Sequence, residues 1–370
     1  MSDSHRIAER MTHLDASGIR KVFDLAAKME NPINLSIGQP DFDVPEPVKD
    51  EAIAAIRRGE NKYTQTQGSA ALREAVADAC CREFGWKGNM PLLITSGTSG
   101  GLVLAMLTLV DAGDEVVFFD PYFVMYRHLV HLAGGVPVPV ETYPDFRPDL
   151  DKLADAITDK TRLLILNSPS NPTGAVHTAE ELKGIADIAS ERGLLVISDE
   201  IYDAFCYDEP GFTSMASLYE NTLLLRGFSK AYAMTGWRVG WCTGPAPILE
   251  KMTMLQQYSF VCAPSMAQAG AVVAMDTDIS EHVAAYRRKR DMVQDALGEK
   301  LGLIQPAGAF YAFVPAPGGD ATAFVTRAIE NNVLIIPGNV FSGRDTHFRI
   351  SYATSDEQLA QGLEILASLA

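Results

Sequence analysis

A chain of 370 residues with 47% hydrophobic and 21% charged residues has the composition of a soluble globular protein, and its length favours two domains. Its formal net charge of −16 argues against nucleic acid or an anionic membrane as a partner. Five cysteines without CxxC spacing fit a reducing compartment and no disulfide framework. Because the first ten residues are polar and no apolar run reaches the length of a membrane span, we expect a cytoplasmic protein.

The middle of the chain alternates apolar runs of strand length with helical patterns, after Pro45 and Pro47 mark the start of a helix. The predicted strands are Leu92–Thr95, Glu115–Phe119, Arg162–Asn167, Leu194–Asp199, Thr222–Arg226 and Arg238–Thr243. The predicted helices are Leu102–Val110, Met125–Ala133, Ala179–Arg192 and Ile248–Tyr258. Apolar strands separated by helices are typical of a mostly parallel sheet covered on both faces. We therefore predict a large doubly wound α/β domain over residues 42–275.

The C-terminal part of the chain follows a different pattern. A long predicted helix, Glu281–Leu301, precedes shorter elements at Phe310–Pro315, Ala321–Asn331, Val333–Ile336 and His347–Tyr352, and a closing helix. Helices grouped with a few strands predict a smaller α+β domain over residues 276–370. We expect residues 1–41 to form an N-terminal arm and to contribute part of this smaller domain.

Polar and small residues directly follow several predicted strands. The segment Ser96-Gly97-Thr98-Ser99-Gly100-Gly101 precedes a helix, so its backbone N–H groups and the helix dipole can bind a phosphate. Three other strands are followed by Asn167-Ser168-Pro169-Ser170-Asn171, by Asp199-Glu200-Ile201-Tyr202 and by Phe228-Ser229-Lys230. Because ligands of doubly wound sheets bind beyond the carboxyl ends of the strands, we expect these segments to meet at one rim.

Lys230 lies among small and apolar residues between Gly227 and Gly240, with Arg238 eight positions later. Burial and a nearby cation both disfavour the ammonium form, so this lysine can lose its proton near neutral pH. A neutral amine can condense with an aldehyde.

The segment from Gly227 to Gly240 resembles the Schiff-base lysine motif of class I (fold type I) pyridoxal-phosphate (PLP) aminotransferases, in particular their aspartate and aromatic amino-acid branch. The resemblance covers almost the whole chain. It includes Asn34-Leu35-Ser36-Ile37-Gly38-Gln39-Pro40-Asp41-Phe42, Lys62-Tyr63-Thr64, Ser198-Asp199-Glu200-Ile201-Tyr202, Gly308-Ala309-Phe310-Tyr311 and Phe348-Arg349-Ile350-Ser351-Tyr352-Ala353. It implies the PLP transferase fold type I and a ping-pong transfer of an amino group from an L-amino acid to a 2-oxo acid.

The resemblance implies a role for each candidate cofactor residue. Lys230 would be the Schiff-base lysine and the acid/base of the reaction, and Asp199 would keep the pyridine nitrogen protonated, which makes the ring a stronger electron sink. Tyr202 and Asn171 would hold the ring's O3′ oxygen. The phosphate would bind Arg238, Ser229 and the backbone of Thr98, Ser99 and Gly100, and Phe123 would stack on the ring.

The remaining roles concern the substrate and a second subunit. Arg349 would bind the substrate α-carboxylate, assisted by Asn171 and the backbone of Gly38. Tyr63 would reach the phosphate of the neighbouring subunit's cofactor, which implies a homodimer with shared active sites. The family also often carries cis peptide bonds before the residues that correspond to Pro169 and Pro172.

Two departures and one open question accompany the resemblance. The ring-stacking position is often tryptophan, although phenylalanine, as in Phe123, is also seen in the family. The family commonly has serine or threonine where this chain has Gly227, so one phosphate hydrogen bond is missing or comes from Ser229 or Ser99. Asp15, Ser17 and Ile19 are expected to border the substrate side chain, and they tilt the preference slightly towards apolar or aromatic substrates.

Three alternatives compete with this interpretation. A PLP-dependent β-elimination or C–S lyase would use the same cofactor residues, so the motifs leave it open. Gly97-Thr98-Ser99-Gly100-Gly101 also fits the nucleophile elbow of a serine hydrolase, with His347 as a candidate base, but that leaves Lys230 unexplained. His128 and His131 are spaced like a metal pair on a helix but lack an evident third ligand, so we predict no metal site.

Overall fold

The computed structural model describes residues 7–14, 29–86, 90–208 and 210–370. Asp15, Ser17 and Ile19 lie outside these residues. The strands, in chain order, are β1 (Ile33–Asn34), β2 (Leu92–Thr95), β3 (Glu115–Asp120), β4 (Val136–Glu141), β5 (Thr161–Asn167), β6 (Leu195–Asp199), β7 (Thr222–Gly227), β8 (Gly240–Thr243), β9 (Tyr311–Pro315), β10 (Val333–Leu334), β11 (Ile336–Pro337) and β12 (His347–Ser351).

The α-helices in the described part of the chain lie between these strands or after them, singly or in consecutive groups. They are α1 (Glu46–Arg58), α2 (Ala70–Phe84), α3 (Gly97–Leu109), α4 (Met125–Ala133), α5 (Leu150–Ala156), α6 (Ala179–Glu191), α7 (Ala246–Tyr258), α8 (Ser265–Ala274), α9 (Ser280–Leu301), α10 (Ala321–Glu330) and α11 (Asp356–Leu369). None of the described helices is long and apolar enough to cross a membrane.

Seven strands form one large sheet in the order β2-β8-β7-β6-β5-β3-β4. Strand β8 is antiparallel to both of its neighbours, and the other pairs are parallel. The predicted mostly parallel α/β sheet is therefore confirmed. The sequence pattern missed β4 because Pro137 and Pro139 interrupt it, but β4 pairs only with β3 at the sheet edge, where missing N–H donors are tolerated.

Alternate residues of the strands pack against helices on opposite faces of the sheet. In β3, Val116 and Phe118 belong to the core formed with α3, α4 and α7, whereas Val117 and Phe119 belong to the core formed with α5 and α6. This is the period of two that a β-strand imposes on its side chains. Packing against helices on both faces thus fixes the positions of the strand ends, where the polar segments begin.

Helix α3 begins at Gly97, five residues before the predicted start at Leu102. The apolar pattern could not reveal its first turn, because that turn consists of small and polar residues. Helix α1 does begin where the two prolines predicted, with Pro45 as its N-cap and Pro47 in the first turn. The apolar pattern did not predict helices α2 and α8, and α8 packs against both α1 and α2.

The C-terminal strands form smaller sheets. Strands β11, β12 and β9 make a three-stranded antiparallel sheet, and β1 pairs in parallel with β10. The single strand predicted at Val333–Ile336 is wrong: Val333–Leu334 belongs to one sheet and Ile336–Pro337 to the other. The division into domains at residues 41, 42, 275 and 276 remains a prediction.

Candidate active site

A cavity of about 240 Å³ lies at the carboxyl ends of β5, β6 and β7. Most of the residues proposed from the sequence line it. They are Gly38, Thr98, Ser99, Phe123, Asn171, Asp199, Tyr202, Ser229, Lys230, Arg238 and Arg349. Its other lining residues, to which the sequence analysis gave no role, are Leu102, Asn167, Ile201, Thr235 and Tyr311.

Lys230 follows β7 and points its amine across the cavity. Its Nζ donates a hydrogen bond of 2.6 Å to the carbonyl oxygen of Gly38. Burial, followed by the positive charges of Arg349 and Arg238, lowers the pKa of Lys230 to about 8. The sequence predicted a lowered pKa for Lys230 from burial and from Arg238 eight positions later, whereas Arg349 comes from a distant part of the chain.

Asp199 ends β6 and is buried, with 3% of its surface exposed. Its Oδ2 accepts a hydrogen bond of 2.7 Å from the Tyr126 hydroxyl, whereas its Oδ1 is buried without a hydrogen-bond partner. Burial raises the pKa of Asp199 to about 6, although the Tyr126 bond opposes this. An unsatisfied buried carboxylate oxygen is costly unless a ligand supplies its partner.

Two asparagines connect the end of β5 to its neighbours. The Asn167 side-chain amide donates to the backbone oxygen of Asp199 at 2.9 Å, and its Oδ1 accepts from the backbone N–H of Asn171 at 2.8 Å. The peptide bonds before Pro169 and Pro172 are both cis, as the resemblance implied. Asn171 is thereby held with its side chain facing the cavity and Arg349.

Arg349 is 1% exposed and has aromatic rings on two sides, since its guanidinium carbon lies 4.5 Å from the Tyr311 ring centroid and 4.7 Å from that of Phe341. Nη1 donates to Asn171 Oδ1 at 2.9 Å and Nη2 to the backbone oxygen of Ser36 at 2.6 Å. Its Nε is buried without a partner. A buried guanidinium with an unused donor suits a carboxylate ligand.

The N-terminus of α3 forms one corner of the cavity, with Thr98 and Ser99 in its first turn. The first N–H groups of a helix lack intrahelical partners and can bind an anion. Arg238 lies beside this turn in a left-handed conformation, φ 55°, and its Nη1 donates to the Thr235 backbone oxygen at 2.8 Å. A Cβ on Gly97 would lie only 2.6 Å from Arg238 Nη2.

The same corner explains why position 227 is glycine. A Cβ on Gly227 would lie 2.8 Å from the Thr98 hydroxyl oxygen and 3.1 Å from the Cα of Gly240. The Thr98 hydroxyl therefore occupies the space that a larger residue at position 227 would need. Its own hydrogen bond goes to the Arg226 backbone oxygen at 3.3 Å.

Two of the proposed residues do not line the cavity. Gly100 lies in the first turn of α3 with Ser96 and Phe260 as neighbours. Tyr63 is 83% exposed and lies in a separate surface groove with Arg58, Lys62 and Ser265.

The histidines of the alternative interpretations lie elsewhere. None of the described residues that line the cavity is a histidine, and His347 stacks on Phe313, with 5.1 Å between ring centroids. Within the residues that the structure describes, no group of three or more His, Cys, Asp or Glu side chains could hold a metal ion.

Comparisons with known proteins agree over almost the whole chain. The sequence model of the family "Aminotransferase class I and II" matches residues 30–366. The chain is 38% identical to the putative aminotransferase YugH of Bacillus subtilis, with 96% of each protein covered. It is 38% identical to aromatic-amino-acid aminotransferase 2 of Thermococcus litoralis, covering 97% of this chain and 96% of that protein. Aspartate aminotransferase from Thermus thermophilus with maleate has a similar structure, with a TM-score of 0.92, 35% identity, and 98% and 99% of the two chains covered.

Proposed function

Because this chain belongs to the class I and II aminotransferase family and is an aminotransferase, we propose that it uses pyridoxal 5′-phosphate in a ping-pong reaction. The amino group moves from an L-amino acid to a 2-oxo acid. The observation that carries the proposal is the pairing, in one cavity, of a lysine with a lowered pKa and a buried carboxylate with an unpartnered oxygen. The names of the relatives do not favour a lyase.

The unsatisfied atoms of the cavity fit this cofactor. Asp199 Oδ1 lacks a donor, and a protonated pyridine nitrogen would supply one. The corner formed by Thr98, Ser99, Ser229 and Arg238 offers hydroxyls, helix N–H groups and a guanidinium to a phosphate. Lys230 would hold the cofactor's aldehyde carbon covalently, with Tyr202 and Asn171 at its phenolic oxygen and Phe123 against its ring. When bound, the cofactor supplies an electron sink for the substrate's Cα–H bond.

The residues of the chain bind the substrate and move its proton. With a pKa of about 8, roughly a tenth of the Lys230 amine is neutral at pH 7 and able to accept a proton. Arg349, with Asn171, holds the α-carboxylate and so fixes the Cα–H bond relative to Lys230 Nζ. Asp199 would hold the protonated ring nitrogen, whose positive charge would favour the ionised form of the carboxylate. Burial of these groups excludes water and strengthens their electrostatic effects.

The charges of the cavity bear on the substrate. The cations among the described lining residues are Lys230, Arg238 and Arg349, and each has one of the roles above. The slight preference for an apolar or aromatic substrate rests on Asp15, Ser17 and Ile19, which lie outside the described part of the chain.

The proposal also includes the oligomeric state and the location: a cytoplasmic homodimer in which each subunit contributes to the other's active site. Phe260 lies beside Gly100 in the first turn of α3. Phe260, Met254, Tyr258, Val261 and Tyr63 are large hydrophobic or aromatic side chains that lie exposed on this chain. A second copy that covers them would bury apolar surface and bring its Tyr63 to the cavity.

The absorption spectrum between 300 and 500 nm, recorded with PLP before and after adding single amino acids without an oxo acid, tests the reaction. We expect a visible band that converts stoichiometrically to a near-ultraviolet band, with release of the 2-oxo acid and no ammonia. The amino acids ranked by kcat/KM should place phenylalanine and methionine above aspartate. A persistent visible band with accumulating pyruvate and ammonia would establish a lyase instead. Lys230→Ala is the matched control and should give no such conversion.

Mixed oligomers test the shared site. A homodimer of Tyr63→Phe subunits and a homodimer of Lys230→Ala subunits should each have lowered activity, because both of their sites carry the substitution. A mixed dimer contains one site in which both residues are native. We expect activity to rise when the two variants are unfolded together and refolded. A mixture whose activity equals the sum of the two parents would contradict sharing.

A further inference from the structure

The Tyr311 hydroxyl lies where the cofactor side and the substrate side of the cavity meet. It is 2.8 Å from the Tyr202 hydroxyl, and its ring lies against the Arg349 guanidinium. A Cβ on Gly38, whose carbonyl accepts the Lys230 bond, would collide with the Tyr311 hydroxyl. Tyr311 is 1% exposed and lines the cavity, yet the proposed reaction assigns it no role.

The backbone holds this hydroxyl in place. Tyr311 begins β9, and the segment before it is anchored because the N–H groups of Ala307 and Gly308 donate to the Gly174 carbonyl at 3.0 and 2.9 Å. A Cβ on Gly174 would lie 2.7 Å from the Tyr311 carbonyl oxygen. The loop that carries Asn171 and the strand that carries Tyr311 are therefore packed backbone to backbone.

Counting hydrogen-bond donors fixes the direction of the Tyr202–Tyr311 bond. A phenol has one hydrogen to donate and can accept two hydrogen bonds. If Tyr202 donates its hydrogen to the cofactor's phenolic oxygen, as the proposed function requires, Tyr311 must be the donor between the two tyrosines. Among the described residues, Tyr202 is the one hydrogen-bond partner of the Tyr311 hydroxyl.

We propose that Tyr311 is a positioning residue that donates its hydrogen to Tyr202 and so strengthens the Tyr202 hydrogen bond to the cofactor. The inference rests on the proposed cofactor site. Successive hydrogen bonds polarise one another, so the Tyr202 hydrogen becomes more acidic and stabilises negative charge on the cofactor's phenolic oxygen. When negative charge on that oxygen is better stabilised, it attracts the proton on the Lys230 nitrogen less strongly. The pKa of that nitrogen would therefore be lower with the Tyr311 hydrogen bond than without it.

The charged and titratable groups around the Tyr202 phenol come from several elements. They are Lys230 after β7, Asp199 in β6, Arg349 in β12, Tyr311 in β9 and Tyr126 in α4. Of these, Tyr311 can be changed at its hydroxyl alone by Tyr311→Phe, which keeps the ring beside Arg349. The matched control is Tyr352→Phe, because the Tyr352 hydroxyl is equally buried and bonds the Ala309 carbonyl at 3.2 Å without lining the cavity.

The test is a pH titration of the visible absorption of the PLP-loaded protein. We expect its midpoint in Tyr311→Phe to lie about half a pH unit above that of the native protein, and the midpoint of Tyr352→Phe to be unchanged. In a Tyr202→Phe background, adding Tyr311→Phe should cause no further shift, since the residue acts through Tyr202. Thermal unfolding confirms that each variant is folded.

Two results would overturn the inference while the proposed function stands. One is a Tyr311→Phe midpoint equal to the native one, and the other is an equal shift in Tyr352→Phe, which would indicate a packing effect of the Ala309–Tyr311 segment. A native protein that shows no visible band with PLP would overturn the proposed function and this inference together.

Discussion

Asp199 and Glu200 are consecutive buried carboxylates at the end of β6, and the structure treats them in opposite ways. Asp199 accepts one side-chain hydrogen bond and keeps Oδ1 without a partner. Glu200, which is 1% exposed, is surrounded by donors. They are the hydroxyls of Ser198 and Ser214 at 2.8 Å each, the backbone N–H of Met215 at 3.2 Å, and Arg226 Nε and Nη2 at 3.0 and 2.9 Å.

Because Asp199 and Glu200 are both buried and acidic, burial and charge alone do not identify a functional carboxylate. Burying a charge costs free energy unless hydrogen bonds and an opposite charge replace its water. Glu200 receives that replacement from the protein itself and serves to connect β6 to β7. Asp199 lacks it on one oxygen, which leaves a place for a ligand to provide it.

The largest expected effect comes from removing the charge of the unsatisfied residue with Asp199→Asn. We expect kcat to fall on the order of 10³-fold, the loss typical of removing one preorganised electrostatic group. The unfolding free energy of the cofactor-free protein should not decrease, because the cost of burying the Asp199 charge exceeds its attraction to Lys230. Steady-state kinetics and urea unfolding measure the two effects. An unstable Asp199→Asn protein with nearly native kcat would reverse the assignment of the two carboxylates.

The complementary change, Glu200→Gln, should act on stability instead. Removing one partner of a buried ion pair costs about 3 kcal/mol of unfolding free energy, and the low end of the range applies because Glu83 and Asp203 still pair with Arg226. Activity per folded molecule should stay within a few-fold of native. Urea unfolding of the cofactor-free protein tests this. A loss well below 1 kcal/mol would contradict a structural role for the Glu200–Arg226 pair.

This contrast between neighbours marks the limit of what the sequence could predict. Apolar runs predicted most strands of the large sheet, and the order of polar segments after them predicted that Asp199 and Lys230 meet at one rim. The family resemblance, not this order, implied that Arg349 joins them. The printed sequence shows Asp199 and Glu200 as equivalent acids after one strand. Their difference depends on Tyr126, Arg226 and Ser214, which other elements bring to them.

Other residues were out of reach for separate physical reasons. Tyr311 stood in a quoted motif, but its role depends on a contact with Tyr202 across the cavity. Strand β4 was missed because an edge strand tolerates prolines that a central strand would not. The role of Tyr63 needs a second copy of the chain, since in one copy it lies exposed outside the cavity.

A milder change, Ser214→Ala, tests the hydrogen bonds that surround Glu200. It removes one of the hydrogen bonds to Glu200, and a bond to a buried charge contributes about 1.5–3 kcal/mol. We expect a loss near the lower figure, because four other hydrogen bonds to Glu200 remain. Denaturant unfolding gives the loss, and kcat and KM should stay native. Altered kcat with unchanged stability would contradict a purely structural role.

The smallest effect is expected from Tyr126→Phe, which removes the one side-chain hydrogen bond of Asp199. In the cofactor-free protein the pKa of Asp199 is raised from 3.8 to about 6, so folding loses stability as the pH rises through this window. The Tyr126 bond lowers that pKa, and without it the loss should continue above pH 6. The variant should therefore fall further below the native unfolding free energy between pH 6 and 7, by on the order of 1 kcal/mol. Other titrating groups cancel in this difference. In an Asp199→Asn background the difference should be the same at every pH, and a difference that is already independent of pH in the native background would show that Tyr126 does not control the charge of Asp199.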